Sequence, residues 1–246
     1  MIENIYTIWL REMIKFTRAR SRIISSLALP FFWLAIVGIG FGSSFKLPNM
    51  DYLQFFAPGI VGMVVLFTSI FSSISVLIER QFGFLKEILV APVSRSSIVV
   101  GKALGSATIT SITAFIMILI AFAMGILGIS AGIFPALAAI ILGSLCFSSI
   151  GLILAAKMRS MEGFHMVMTF LVMPIFFLSG ALFPLQNSPQ WMQIISYFNP
   201  LFYVVDALRL SLAGTSIFPL WIDLGILVIA AFMILLGAAK AFRTIV

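Results

Sequence analysis

The chain has 246 residues, 62% of them apolar and only 9% charged, with a formal net charge of +7. A soluble domain of this length needs far more polar surface, so the composition excludes one and points to an integral membrane protein. The basic excess is not gathered into a basic domain, and membrane topology accounts for it better than a nucleic-acid partner does.

Ile2, Ile5, Tyr6, Trp9, Met13 and Phe16 recur at helical spacing, while Arg11, Lys15, Arg18 and Arg22 fall largely on another face. Residues 1–22 therefore read as an amphipathic helix lying along the inner leaflet, its basic face toward anionic headgroups. Five basic residues before Ile23, with no small-residue cleavage site, argue against a secretory signal.

Six apolar segments follow: roughly Ile23–Phe41, Ala57–Ile78, Ala103–Leu127, Phe134–Ala156, Met166–Phe183 and Leu220–Ala239. A crossing helix needs about 20 apolar residues, or roughly 30 Å of rise. The runs are continuously apolar rather than alternating, which selects helices over barrel strands. The expected fold class is all-α integral membrane, a single domain over residues 1–246 with six transmembrane helices. The Gly-rich run GIGFGSSFK, 38–46, reads as the termination or close packing of the first. The lone Cys146 in LGSLCFSSIG excludes an internal disulfide and reads as a small packed residue.

Between the second and third segments lies LIERQFGFLKEILVAPVSRSSIVVGK, from Leu77 to Lys102. It holds six of the 23 charged residues, and the segments on either side, Ile60–Ile78 and Ala103–Gly128, hold none beyond it. Gly83 breaks the preceding helix. Phe84, Leu85, Ile88 and Leu89 then form an apolar face beside Lys86 and Glu87, and Pro92 bends the chain away. A short amphipathic helix of this kind either floats at the lipid interface or docks into a groove on a cytoplasmic partner, and the residues by themselves leave both open.

Further on, His165 in RSMEGFHMV reads as a polar residue at the membrane boundary; with Glu162 it makes too small a set for a metal site. Trp191–Leu208 is fairly apolar but contains Gln193, the Asn199–Pro200 break and Asp206. A seventh span there would also put Lys240 and Arg243 outside. The expectation is a helix-break-helix that dips into the outer leaflet and returns, with Trp191, Tyr197 and Tyr203 at the interface. Asp206 and Arg209, three apart on one helical face, are expected to pair; an ordinary external loop with a surface ion pair is the alternative.

With the N-terminus in the cytoplasm, 13 of the 15 basic residues fall inside and only Lys46 and Arg209 outside, which fixes the orientation and places both termini in the cytoplasm. No Asp, Glu, Lys, Arg or His lies in the interior of any of the six segments; Asp223 sits near the outer end of the last. That argues against a proton-driven carrier, though a sodium-coupled one can use backbone carbonyls. No G-x-x-x-x-G-K-[ST] loop occurs, and no cluster of catalytic side chains marks a membrane enzyme. Gly101 and Gly105, and Ser144 and Ser148, stand four apart, the spacing of closely packed membrane helices.

Two blocks carry a family resemblance. Ile78 to Arg95, I-E-R-x-x-G-x-x-x-E-x-L-x-x-P-x-S-R, followed by Gly101–Lys102, resembles the cytoplasmic loop of the type-two ABC-exporter permeases. Residues 174–209, PIFFLSGALFPLQNSPQWMQIISYFNPLFYVVDALR, resemble that family's signature near the fifth span: P-x-x-F-x-S-G, F-P, P-x-W, N-P-L and D-x-x-R. The resemblance covers essentially the whole chain. It implies a permease half that works as a pair, a second copy of itself beside it, with two copies of a separate ABC-type ATPase subunit. ATP and Mg would be held by the ATPase and no cofactor by this chain. The resemblance makes residues 79–95 the coupling-helix loop, with Glu79, Arg80, Gly83, Phe84, Leu85, Lys86, Glu87, Ile88, Leu89 and Pro92 at the ATPase interface. Phe84, Leu85 and Leu89 would dock, while Glu79, Arg80, Lys86 and Glu87 would fix register through charge pairs. Residues 1–22 become the interface helix. Residues 186–213 become external re-entrant helices, carrying Pro189, Trp191, Asn199, Pro200, Asp206 and Arg209. The short Phe45–Phe56 loop favours the compact drug, lipid or polysaccharide exporters of a prokaryotic inner membrane. An ion-coupled carrier working without any ATPase, and a membrane scaffold that recruits a partner without transport, are the rival readings.

Overall fold

A computed structural model describes residues 2–42, 51–82, 94–128, 132–158 and 160–243. Every regular element among them is a helix. In chain order they are α1 (Ile2–Arg18), α2 (Arg20–Phe32), a π-helical stretch (Trp33–Gly38), α3 (Ile39–Gly42), α4 (Tyr52–Ser72), α5 (Ile74–Gln81), α6 (Arg95–Ala123), α7 (Ile133–Lys157), α8 (Met161–Phe177), a 3-10 turn (Leu185–Asn187), α9 (Gln190–Tyr197), α10 (Pro200–Ala213) and α11 (Leu220–Arg243).

The boundaries follow local chemistry. Ser94 caps α6, its hydroxyl accepting from Ser97 N at 3.1 Å, and Ser160 caps α8 by accepting from Gly163 N at 3.1 Å. Asn199 caps α10 with Pro200 in the first turn, and Gly214, at φ 76°, closes it in the left-handed conformation that glycine adopts freely. Between α4 and α5 the chain turns at Ser73, where Ser72 and Ser75 hydroxyls bond back to carbonyls three residues earlier. Such back-bonding bends helices.

α4, α6, α7 and α10 form the centre, with α11 laid along α7. α10 is buried on every side, with no residue from Leu201 to Arg209 outside the buried class, so its apolar side chains pack all round and its Asp206 and Arg209 must find partners inside the bundle. Small residues let its neighbours approach. An added Cβ at Gly62 would come within 2.6 Å of Val205, and one at Gly143 within 2.5 Å of Val204. The seam between α4 and the chain after α8 is tighter, since a Cβ at Gly59 would lie 2.2 Å from the Ala181 carbonyl oxygen.

Four helical stretches are long and apolar enough to cross a membrane: Tyr52–Gln81, Arg95–Ala123, Ile133–Lys157 and Leu220–Phe242. A fifth arises if Ile2–Arg18 and Ile23–Gly38 count as one span, though they meet at a 70° bend. Of the six expected crossings, then, four appear at full length. The expected first one is interrupted: Pro30 lies inside α2, and the π stretch follows it. Proline supplies no N–H and clashes with the preceding turn, so regular i→i−4 bonding lapses there. The expected fifth, Met166–Phe183, is realised as the 17-residue α8, which ends at Phe177. It carries Pro174 and runs into Ser179 and Gly180, and Gly180 takes φ 74°. The expected break at Asn199–Pro200 is present, between α9 of 8 residues and α10 of 14.

Gly59→Ala should lower the thermal midpoint of the purified chain, at an overpacking cost of about 1–3 kcal/mol. Gly225→Ala meets nothing within 4 Å and, because alanine is the better helix former by about 1 kcal/mol, should not lower it. Unfolding followed by circular dichroism in detergent checks both.

Candidate functional site

The charged residues collect at one end of the bundle, and the element that gathers them is α1. Its Ile8, Glu12 and Phe16 stand four apart and are buried, facing α6, while Ile2, Tyr6, Leu10 and Ile14 are exposed on the opposite side. The contact depends on Gly101 and Gly105. A Cβ at Gly101 would lie 2.8 Å from Ile8 Cβ, and one at Gly105 2.9 Å from Glu12 Cβ. Close backbone approach through small residues is the usual membrane-helix solution. Trp9 adds an indole N–H donated to Thr108 Oγ1 at 3.0 Å.

This docking sets α1 beside the end of α5, and the two meet on Glu79. The Glu79 Oε1 atom accepts from Arg11 Nη2 at 2.6 Å and Lys15 Nζ at 2.7 Å, and Oε2 lies 2.9 Å from Lys102 Nζ on α6. Lys102 also donates to Glu12 Oε1 at 3.3 Å. Glu79 is 5% exposed and Lys102 4%. Burying either charge alone would cost several kcal/mol; the pairing offsets much of that cost because cations lie within 3 Å of both carboxylate oxygens, Oε1 through hydrogen bonds and Oε2 through charge proximity alone. Above the cluster a strip of hydroxyls continues between helices. Ser72 bonds Ser106, Ser69 bonds Thr110 at 3.1 Å, and Ser73 donates to Ser148 O at 3.2 Å.

The neighbouring charges are used in the same way. Arg80 donates to the carbonyls of Ala156 and Met158 at 3.1 and 3.3 Å, closing the C-terminal end of α7 where helix carbonyls lack partners. Arg95, at the start of α6, donates to Phe242 O at the end of α11 at 3.4 Å. Residues Gly83, Phe84, Leu85, Lys86, Glu87, Ile88, Leu89 and Pro92 lie outside the described residues. Both flanks of that stretch are thus fastened: the leading flank to α1, α6 and α7, the trailing flank to α1 and α11.

Glu79 and Arg80, expected at the ATPase interface, have partners within the chain: Glu79 is turned inward against three cations and Arg80 bonds carbonyls of α7. One sequence expectation changes. Arg11 and Lys15, read as facing headgroups, face Glu79. The sign missed in the sequence was Glu79 itself, an isolated acid ending an apolar run while α1 is rich in cations.

The other end of the bundle is held by bonds to main-chain groups. Asn199 accepts from Leu201 N and donates to Ile175 O at 2.6 Å; Tyr203 donates to Tyr197 O at 2.7 Å. Asp206 and Arg209 do not form the expected pair; among the described residues no ion pair joins them. Asp206 accepts from Ile217 N at 3.0 Å and Phe218 N at 2.8 Å. Arg209 donates to Gly180 O at 2.8 Å and lies 3.8 Å over the Phe55 ring. The N–H groups of half-buried Ile217 and Phe218 and the carbonyl of buried Gly180 need partners, and these side chains supply them. Burial raises the Asp206 pKa, against which the Phe218 and Ile217 N–H groups and the Arg209 charge work. Pro189 and Trp191, at the start of α9, are exposed.

The chain matches the ABC-2 type transporter family over residues 3–213, from α1 to the end of α10. The chain belongs to that family. It is 33% identical over 227 residues to a protein of Cyanophora paradoxa that carries the name transport permease ycf38, covering 87% of this chain and 76% of that one. It is 27% identical over 230 residues to nodulation protein J of Rhizobium leguminosarum bv. viciae, covering 92% and 88%. It is 25% identical over 229 residues to the inner membrane transport permease YadH of Escherichia coli K12, covering 91% and 88%. As an ABC-2 permease, the chain is a multi-pass membrane subunit of an ABC transporter, and the family implies an ABC ATPase beside it.

Glu79→Gln should destabilise the chain by about 3 kcal/mol, because it leaves buried Lys102 short of countercharge. Arg11→Gln should cost about 1 kcal/mol or less, since the Arg11 side chain is 37% exposed. Denaturant-dependent unfolding of the two variants side by side checks the order.

Proposed function

We propose that this chain is the membrane half of an ATP-driven exporter, acting as a homodimer on two ATPase subunits that bind and hydrolyse Mg·ATP. The N-terminus and the cluster around Glu79 face the cytoplasm, and residues 83–92 dock on the ATPase through Phe84, Leu85 and Leu89. The observation that carries this reading is the fastening of both flanks of that stretch. A push on residues 83–92 reaches α1, α6, α7 and α11 together, because Glu79 pairs with α1 and α6, Arg80 bonds α7, Arg95 bonds α11 and Lys102 pairs with α1. A helix floating in lipid needs no such anchorage.

The cargo reading rests on a cavity of about 280 Å³ between α2 and α4, lined by Ser25, Leu29, Pro30, Met63, Phe67 and Phe71 among others. Phe67 stacks on Phe71 at 6.0 Å and meets Phe176 edge-on at 6.3 Å, and Trp33 also meets Phe176 edge-on at 6.3 Å. An apolar wall with a few hydroxyls suits an amphipathic drug, a lipid or a sugar chain stacked on aromatic faces.

The membrane chain and its ATPase, reconstituted together, should transport only with Mg·ATP, and Leu85→Arg should reduce transport at least tenfold while leaving the ATPase able to hydrolyse ATP. Uphill transport by vesicles holding this chain alone, driven by a sodium or pH gradient, would overturn the proposal. ATPase recruitment without any transport would favour a scaffold.

A further inference from the structure

The cavity between α2 and α4 has two unlike walls, and one residue makes the difference. Pro30 lies inside α2 and, like every proline, carries no N–H. The carbonyl of Ser26, one turn earlier, therefore lacks the donor that a helix supplies at every other position. The π stretch does not replace that donor, because it begins later, at Trp33, whose own N–H goes to Leu29 O and Pro30 O. Ser26 and Pro30 both line the cavity. Residues four apart share a helix face, and the carbonyl lies between them on that face. The Ser26 hydroxyl donates back to Ile23 O at 2.8 Å. Its proton is spent, so Ser26 offers the cavity two oxygens that can only accept.

The facing wall, on α4, is largely apolar, with Met63, Phe67 and Phe71. The Phe67 and Phe71 rings stack with centroids 6.0 Å apart. Ser25 and Thr68 add hydroxyls, a type of group that serves donor and acceptor alike and so does not discriminate. Among the described residues no Asp, Glu, Lys or Arg lines the cavity, and His165 meets the Phe71 ring at 6.3 Å without entering the lining. A net charge therefore finds no countercharge here. An apolar or aromatic body packs on α4, and a donor hydrogen finds the oxygens of Ser26, whereas a molecule with acceptors alone sets lone pair against lone pair there.

We propose that the Ser26 main-chain carbonyl, freed by Pro30, is the specificity-determining group of this cavity, and that its occupant is an uncharged amphipathic molecule presenting a hydroxyl or N–H donor beside an apolar body. The assignment rests on the reading of this cavity as the cargo site, and it narrows the cargo from amphipathic molecules in general to hydrogen-bond donors.

The test is equilibrium dialysis of the full chain in lipid nanodiscs with para-butylphenol or with its methyl ether, which lacks the donor hydrogen; empty nanodiscs give the lipid background. The wild type should bind the phenol about tenfold more tightly than the ether, the yield of one hydrogen bond to an otherwise unpaired carbonyl. Pro30→Ala supplies an N–H for Ser26 O, and the preference should fall to about twofold or less through loss of phenol binding. Phe67→Ala should weaken both probes and keep their ratio, and His165→Ala should leave both unchanged. Equal affinities in the wild type, a reading that needs no variant, would overturn the proposal. A Pro30→Ala chain that keeps the full preference would do the same, as would a preference lost in His165→Ala. Neither ATP nor the ATPase enters this measurement, so its failure beside intact Mg·ATP-driven transport removes the carbonyl's role and leaves the exporter reading standing.

Discussion

One carboxylate shared among three cations organises the charged end of this molecule. Glu79 draws on α1 with one oxygen and α6 with the other, so two helices already joined by the Trp9–Thr108 hydrogen bond and the Glu12–Lys102 pair are both pinned to the end of α5. Lys102 bonds both Glu12 and Glu79 and closes the set. Such a buried arrangement adds little net stability compared with a well-packed apolar one. Its value is positional: displacing one helix leaves a charge without its counterion, so the helices around it move together or not at all.

The opposite end obeys a different rule. Asn199, Asp206 and Arg209 each reach a main-chain atom of another segment rather than a charged side chain. Loops and broken helices inside an apolar bundle carry backbone groups that cannot turn to water. The polar residues in this region therefore serve the backbone, which is why two residues spaced for a helical ion pair point to separate targets. Salt, which screens exposed charges, has little access to Glu79, Lys102, Asp206 and Arg209, which are buried, but reaches Arg11 and Lys15, whose side chains are 37% and 41% exposed.

Much of this was legible in the sequence. The apolar runs and the Asn199–Pro200 break fixed the helices, and the Gly101/Gly105 spacing marked a close contact whose partner turned out to be α1. The interrupted first segment was not legible, because hydropathy counts Pro30 and the residues after it as membrane-compatible and does not register bonding pattern. The inward turn of Glu79 was hidden for another reason. Periodicity places a charge on a face of its own helix but says nothing of which other helix lies there, and that is decided by tertiary packing.

The π stretch from Trp33 to Gly38 has a mechanical consequence. A π turn accommodates a surplus residue, and the surplus can travel along a helix as neighbouring bonds exchange partners one at a time. Each step of travel rotates the residue it passes by about 100° and leaves the ends of the helix in place. Trp33 begins this stretch and its ring touches Phe176. A helix built this way can turn new side chains toward the cavity as a screw thread advances, with no swing of the whole rod through the surrounding lipid.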